Sequence, residues 1–433
     1  MTIIDPLIQS LMADTAQSVL EVQSKVEAPL YGEKWLPHDN SVSGRSMHVK
    51  IRTGKTSEIT NLKDGGAIGV TGRRVNPADI QVDPAIVLGR MKMTRAEAVE
   101  VTGVAQTINL VRETIEEFGE SILSEIDLGM IYGGEYEASL TAAMVTALTT
   151  GTLYNNLNAA TEAAPITLVV TDPGPYDVGQ SLEFYSIVTA TGIATLQARA
   201  IVTAVDADYA AGVFSVSMYG SGEVTAALAP ISGATNPVKI TQRGAYVSGT
   251  VDTNTMIGLT QICDEDLDLY GYSRALNNWK PQQHDAGTSA PSGAALRTMN
   301  VQLARQKGAK GRFVLMNSDV QNALHTEALT DRQITGLEFN LTEGSMTGRV
   351  GNTDFKIDEN CRSTSVFFCD PSSTELAVFV PLLTDGDGKP GMDKGSDHWQ
   401  LTPGEFTIFQ EKWTMHQLRC RRRSTSGRII NLG

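Results

Sequence analysis

Between Thr94 and Gly133 the apolar residues Ile108, Val111, Ile115, Phe118, Ile122 and Ile126 recur every three or four positions. Arg112, Glu116, Glu117, Glu120 and Glu125 fall mostly elsewhere on the wheel. That period predicts one long helix with a single apolar stripe. At 1.5 Å per residue it would span roughly 40–55 Å, so a sheet or a partner must lie along it. Gly133-Gly134 predicts its end, because glycine takes the left-handed turn conformation without a side-chain clash. The alternative is two helices jointed at Gly103 or Gly119, since glycine weakens a helix interior.

The period changes to two on either side of this helix. Met47, Val49 and Ile51 alternate with His48, Lys50 and Arg52, and ADIQVDPAIVLGRMKMT gives a second extended segment after a long polar tip. Together they predict a long two-stranded excursion, too narrow to bury a core of its own. Residues 160–250 carry short β-branched runs (ITLVVT, LEFYSIVTAT, LQARAIVTAV, VFSVSMY, VKITQ) separated by turn signals such as Asp172-Pro173-Gly174. They predict an independent β sandwich or barrel inserted into the chain. After Thr250 the character is mixed. A helix is expected with Leu296, Met299 and Leu303 on one face, then a strand, cap and helix in GRFVLMNSDVQNALHTEAL, with Asn317 or Ser318 as the cap and Gln321 completing a capping box after Ser318. STSVFFCD, ELAVFVPLL, EFTIFQEKWTMHQLRCRR and GRIINLG close the chain as strands.

The first forty residues open on a short amphipathic pattern and pass into APLYGEKWLPHDN, where Tyr31 and Trp35 mark an arm that packs on its own body or on a neighbouring copy. With 433 residues the chain has room for two to three domains. Its formal net charge of −14 argues against a coat that binds nucleic acid through bulk charge. Against that background Arg45, Lys50, Arg52, Lys55, Lys63, Arg73 and Arg74 concentrate in the excursion, as expected of a basic hairpin lying across the next acidic copy; the alternative is a solvated hairpin. No apolar run is long enough to span a membrane, and the N-terminus lacks the basic start of a signal peptide.

Candidate chemistry is sparse. The four cysteines show neither a CxxC pair nor zinc spacing and are expected as buried thiols, a Cys361–Cys369 bridge being the alternative. The acidic loop 384–397 departs from a calcium loop at Lys389 and Ser396 and is expected to be solvated. Arg419, Arg421, Arg422 and Arg423 alternate on a terminal strand and are expected to pair with acids of the body or of a neighbour; contact with DNA is the alternative. No nucleophile, base or metal-ligand cluster emerges, so no catalytic, cofactor or metal residue is assigned and an enzyme is not expected.

The order of these parts resembles the major capsid proteins of tailed bacteriophages, most clearly in VLGRMKMTRAEAVEVT…LVRETIEEFGESILSEIDLGMIYGG, and more loosely in GRFVLMNSDVQNALHTEAL and QEKWTMHQLRCRRRSTSGRIINLG. The resemblance implies an α+β Hong Kong 97-type phage capsid fold: N-terminal arm (1–40), extended β-hairpin loop (41–93), peripheral domain with a spine helix (94–159), axial domain (251–402) and closing strands (403–433). Residues 160–250 would be an inserted all-β domain. It further implies a homo-oligomer of hexamers and pentamers, assembled in the host cytoplasm into an icosahedral virion shell. Packaged DNA would be enclosed with few specific contacts, scaffolding, portal and decoration proteins are the further partners, and no membrane is involved. Tyr31, Trp35, Lys50, Arg52, Lys63, Arg73 and Arg74 are the expected inter-subunit contacts. An encapsulin-like compartment shell and a phage tail or baseplate protein are the alternative readings.

Overall fold

The structure is a computed structural model of the chain and describes residue 25 and residues 28–42, 46–51, 78–94, 104–137, 160–170, 174–187, 193–208, 213–220, 238–248, 254–273, 279–305, 312–330, 337–342, 345–350, 353–380, 400–401 and 407–432. The expected long helix is present as Val104–Tyr132, 29 residues without a break at Gly119, about 43 Å of rigid rod. Its start differs from the expectation. The strand Ala85–Thr94 still occupies Thr94, pairing antiparallel along its whole length with Thr407–Cys420. The helix lies on this ladder. Ile122 and Ile126 are buried and Phe118 packs against the same core, its ring over Gly89 of the strand.

The helix stops where expected. Gly133 and Gly134 take φ of +66° and +78°, a region that favours glycine, and the Gly133 amide donates to the Gly129 carbonyl at 2.8 Å. The segment before the short helix Leu259–Ile262 then approaches the stop backbone to backbone: a Cβ on Gly258 would lie 2.2 Å from the Gly133 nitrogen and 2.6 Å from the Tyr132 carbonyl carbon. Gly258→Ala is therefore expected to destabilise the chain by about 2–3 kcal/mol through overpacking, read as a lower midpoint of chemical denaturation. An unchanged midpoint would refute this close approach.

Three larger sheets pack around the helix, and each strand's partners follow from where its apolar residues can be covered. One sheet runs His38–Asp39, Thr374–Val380, Thr407–Cys420, Gln400–Leu401, with Ala85–Thr94 also on the central strand. A second has the order Glu135–Glu137, Val238–Gln242, Ser181–Ile187, Ala194–Asp208, Val213–Gly220, Ile166–Val170, antiparallel throughout. Here the expectation of a sandwich or barrel needs correction: among the described residues, the strands of 160–250 form one open sheet. A strand from just beyond the helix stop, Glu135–Glu137, supplies its edge. The physical reason is cover. Leu168, Val170, Leu182, Phe184, Ala200, Val216 and Ile240 bury themselves in the same contiguous core as Ile122 and Ile126, so no second sheet is needed to shield them.

The third sheet has seven strands, in the order Gln282–Ser289, Gly427–Leu432, Val366–Cys369, Phe313–Met316, Thr353–Ile357, Ser345–Val350, Leu337–Thr342. The helix Gly293–Ala304 packs on it through Leu296, Met299 and Leu303, the face expected from the sequence, and Ser292 caps that helix by accepting the Ala295 amide at 3.3 Å. The helix Ser318–Thr330 is capped by Asn317, whose Oδ1 accepts the Asp319 amide at 2.6 Å, which decides between the two cap candidates. Phe313–Met316 and Val366–Cys369 are buried at every position. Alternate residues serve different cores: Phe313, Leu315, Phe367 and Cys369 face the main core, whereas Val314, Met316, Val366 and Phe368 face the core under the two helices.

Candidate assembly surface

The arm is fixed before any surface is offered. Pro29 opens the single turn Pro29–Gly32, and Leu30, Tyr31 and Leu36 are buried. Tyr31 stacks within its own chain, 5.2 Å from the His38 ring and 6.3 Å from the His416 ring. His416 is fully buried beside Thr414, and burial followed by the nearby His38 pushes its pKa down to about 4, so the ring is neutral at pH 7. Trp35 is half-buried, edge-on to Phe313 at 6.4 Å, with the Lys356 ammonium 5.2 Å from its centroid. His38–Asp39 then adds a short parallel strand beside Leu376 and Ala377. The arm thus touches the first and the third of the sheets around the long helix.

The excursion begins as a ladder of Met47–Ile51 on Ala78–Val82, with Met47, Val49 and Ile51 buried and His48 and Lys50 exposed, as the alternation requires. Lys50 stands opposite Asp79, and His48 Nδ1 lies 3.4 Å from Asp79 Oδ1. Of the expected contact residues, Tyr31, Trp35 and Lys50 are described; Arg52, Lys63, Arg73 and Arg74 lie outside the described residues, as do Arg45, Lys55 and the acidic loop 384–397.

The arginine-rich end is spent inside the chain. Arg419 pairs with Asp39 and with Glu375 at 2.6 Å, and Arg421 reaches Glu375 at 2.8 Å. Arg423 has no exposed surface. Its guanidinium donates to the carbonyls of Gln261, Ile262, Asp264 and Leu267 at 2.9, 2.8, 2.5 and 2.7 Å, and lies 5.9 Å from the Trp279 ring centroid. These carbonyls include the end of Leu259–Ile262, which has no helical partner for them. Sequence reasoning grouped Arg423 with its neighbours; the two-residue step from Arg421 gives no sign that the strand ends at Cys420 and turns its next arginines apart. The four cysteines are free and buried, with no Cys361–Cys369 bridge.

Beside the ladder, a cavity of about 810 Å³ opens between Ala85–Thr94, the long helix and the six-stranded sheet. Ile86, Leu88, Glu125, Gly129, Gln242 and Arg243 line it, and Ile86 and Leu88 are 59% and 62% exposed. Glu125 hydrogen-bonds Gln242, and burial pushes its pKa up to about 7. Among the described residues no helix is long and apolar enough to cross a membrane.

No family model matches the chain, and no curated protein matches its sequence. Among solved structures it is similar to a chain of the cyanophage A-1(L) capsid, at 10% identity and a TM-score of 0.46 over 94% of this chain and 93% of that one. It is similar to a chain of the native GTA particle capsid at 9% identity and 0.42, over 94% and 91%. To a chain of the satellite phage P4 procapsid the figures are 10% and 0.37, over 99% and 92%. All three of these solved structures are of phage or particle capsids.

Proposed function

We propose that this chain is the major capsid protein of a tailed bacteriophage, a structural subunit that assembles through pentamers and hexamers into an icosahedral head around double-stranded DNA. One observation carries the reading: an unbroken 29-residue helix lies along a long two-stranded ladder, and the strand Ala78–Val82, next in sequence after the basic stretch 52–77, runs on into that ladder. A rigid beam joined in sequence to a basic stretch on an otherwise acidic chain suits a subunit that must join copies of itself edge to edge. The C-terminal arginines support the structural role, since Arg419 and Arg423 are committed to intrachain partners and DNA would be held by enclosure. Lys50, Arg52, Lys63, Arg73 and Arg74 reach across to neighbouring copies in this reading. Trp35 stands at the margin of such contacts, and Tyr31 anchors the arm that presents it.

Electron microscopy of particles from the natural source, with a nucleic-acid assay on the same preparation, tests this. Closed angular shells containing DNA are expected. Shells filled with one foreign protein would replace the reading with a cargo compartment, and fibres or free monomers would refute a shell altogether.

A further inference from the structure

Two carboxyl groups face each other where three parts of the chain meet. Asp127 sits on the buried side of the long helix with no exposed surface, and Asp358 follows the strand Thr353–Ile357 with 1% exposed. The Asn360 side chain donates to Asp127 Oδ2 at 3.0 Å, and the Asn360 amide donates to Asp358 Oδ1 at 3.0 Å. That leaves Asp127 Oδ1 and Asp358 Oδ2, both buried, with no donor other than what the two carboxyls can offer each other. From the arm, the Tyr31 backbone amide also faces Asp127. The surrounding groups bind the junction together: Tyr132 donates its hydroxyl to the Asn360 carbonyl at 2.6 Å. Arg362 lies 5.0 Å from the Tyr132 ring centroid and donates to the Tyr136 carbonyl. The other charge bearing on the pair from this loop is Glu359, which is of the same sign.

Two buried acceptors that touch need a hydrogen between them. We propose that Asp127 and Asp358 share one proton in the folded chain, and that this proton is the clasp joining the arm, the long helix and the seven-stranded sheet, so that its loss on the alkaline side loosens the junction. Electrostatics agree. Burial, then the neighbouring carboxylate, hold Asp127 well above the usual carboxylate range, and burial pushes Asp358 up to about 6. The sign follows from linkage. The folded pair keeps a proton that the unfolded chain releases near pH 4, so its contribution is complete below that pH and is lost as pH rises through the folded value. The inference rests on the fold alone and stands or falls separately from the shell reading.

The test compares the wild-type chain with Asp358→Asn, whose amide gives Asp127 a donor that cannot ionise. Folding equilibria are measured from about pH 5 to about pH 9. Between the unfolded carboxylate range near pH 4 and the folded pair's own titration, the wild-type folding constant is expected to fall up to about tenfold more per pH unit than that of the variant, and the two slopes are expected to converge above that titration. Glu125→Gln is the background for both chains, because Glu125 titrates in the same range two residues away on the helix. Infrared spectroscopy supplies a readout that packing loss would not mimic. A carbonyl stretch from a neutral carboxylic acid is expected at neutral pH in the Glu125→Gln chain and absent once Asp358 is also replaced. Parallel pH slopes, or no such band, would overturn the proposal. So would destabilisation by a chelator at alkaline pH, which would put a cation where the proton is proposed. If Asp358→Asn does not fold, the band in the Glu125→Gln chain decides alone.

Discussion

Arg423→Met is expected to remove about 4 kcal/mol or more of folding stability, the largest effect of any single substitution proposed for this chain. Methionine fills much of the same volume and keeps the contact with Trp279, but it leaves the carbonyls of Gln261, Ile262, Asp264 and Leu267 without their donor. Each buried carbonyl left unpaired costs about 1–3 kcal/mol, and local opening to water recovers only part of it. Against a domain stability of roughly 5–15 kcal/mol, that loss leaves a large unfolded population at 37 °C. Chemical denaturation of the soluble subunit measures it. Arg423→Lys is expected to restore only a minor part, because an ammonium has three donors on a point and cannot span four carbonyls as the planar fork does. A midpoint within experimental error of wild type for Arg423→Met would show that the guanidinium is not the organiser of the 261–267 segment.

Reversing the charges of Lys50, Arg52, Lys63, Arg73 and Arg74 together is expected to abolish closed shells while leaving the subunit folded. Lys50 is exposed on the outer face of its ladder, and exposed single charges typically shift stability by less than about 1 kcal/mol. Across an interface the sign matters far more: the chain carries a net charge of −14, and like-charge juxtaposition costs several kcal/mol at every repeated contact. Sedimentation of the expressed variant should show free subunits or small oligomers with an unchanged melting temperature. Closed shells in normal yield would remove the basic excursion from the assembly mechanism. Lost shells with a lowered melting temperature would mean that the substitutions act on folding instead.

What the sequence revealed and what it concealed divide along one physical line. The helix stop at Gly133-Gly134, the alternation of Met47, Val49 and Ile51, and the face of Leu296, Met299 and Leu303 are local periodicities, and each appears where the pattern puts it. Which sheet a strand joins depends on cover from distant residues. The alternation in 160–250 says that one face of each strand is apolar, but not that the core of the long helix will bury it. GRIINLG reads like a further closing strand beside QEKWTMHQLRC, yet the turn at Arg423–Thr425 sends it into the other sheet. The junction of Asp127, Asp358 and Asn360 joins residues more than 200 positions apart, and isolated acids in a sequence carry no sign of a partner. The basic residues of the excursion were legible as a concentration of charge; their geometry beyond Lys50 lies outside the described residues.

The position of Gly427–Leu432 has a consequence in time as well as in space. This strand is inserted between Gln282–Ser289, to which it is parallel, and Val366–Cys369, to which it is antiparallel. It is made after every other element described, at a synthesis rate of roughly 5–20 residues per second. Until it has emerged from the ribosome, the seven-stranded sheet has a gap in it, and the hydrogen-bonding edges of both neighbours are bare. A nascent chain that has not yet made this strand therefore lacks a finished seven-stranded sheet. The order of elements along the chain thus delays closure of this sheet until the other described strands have all been made.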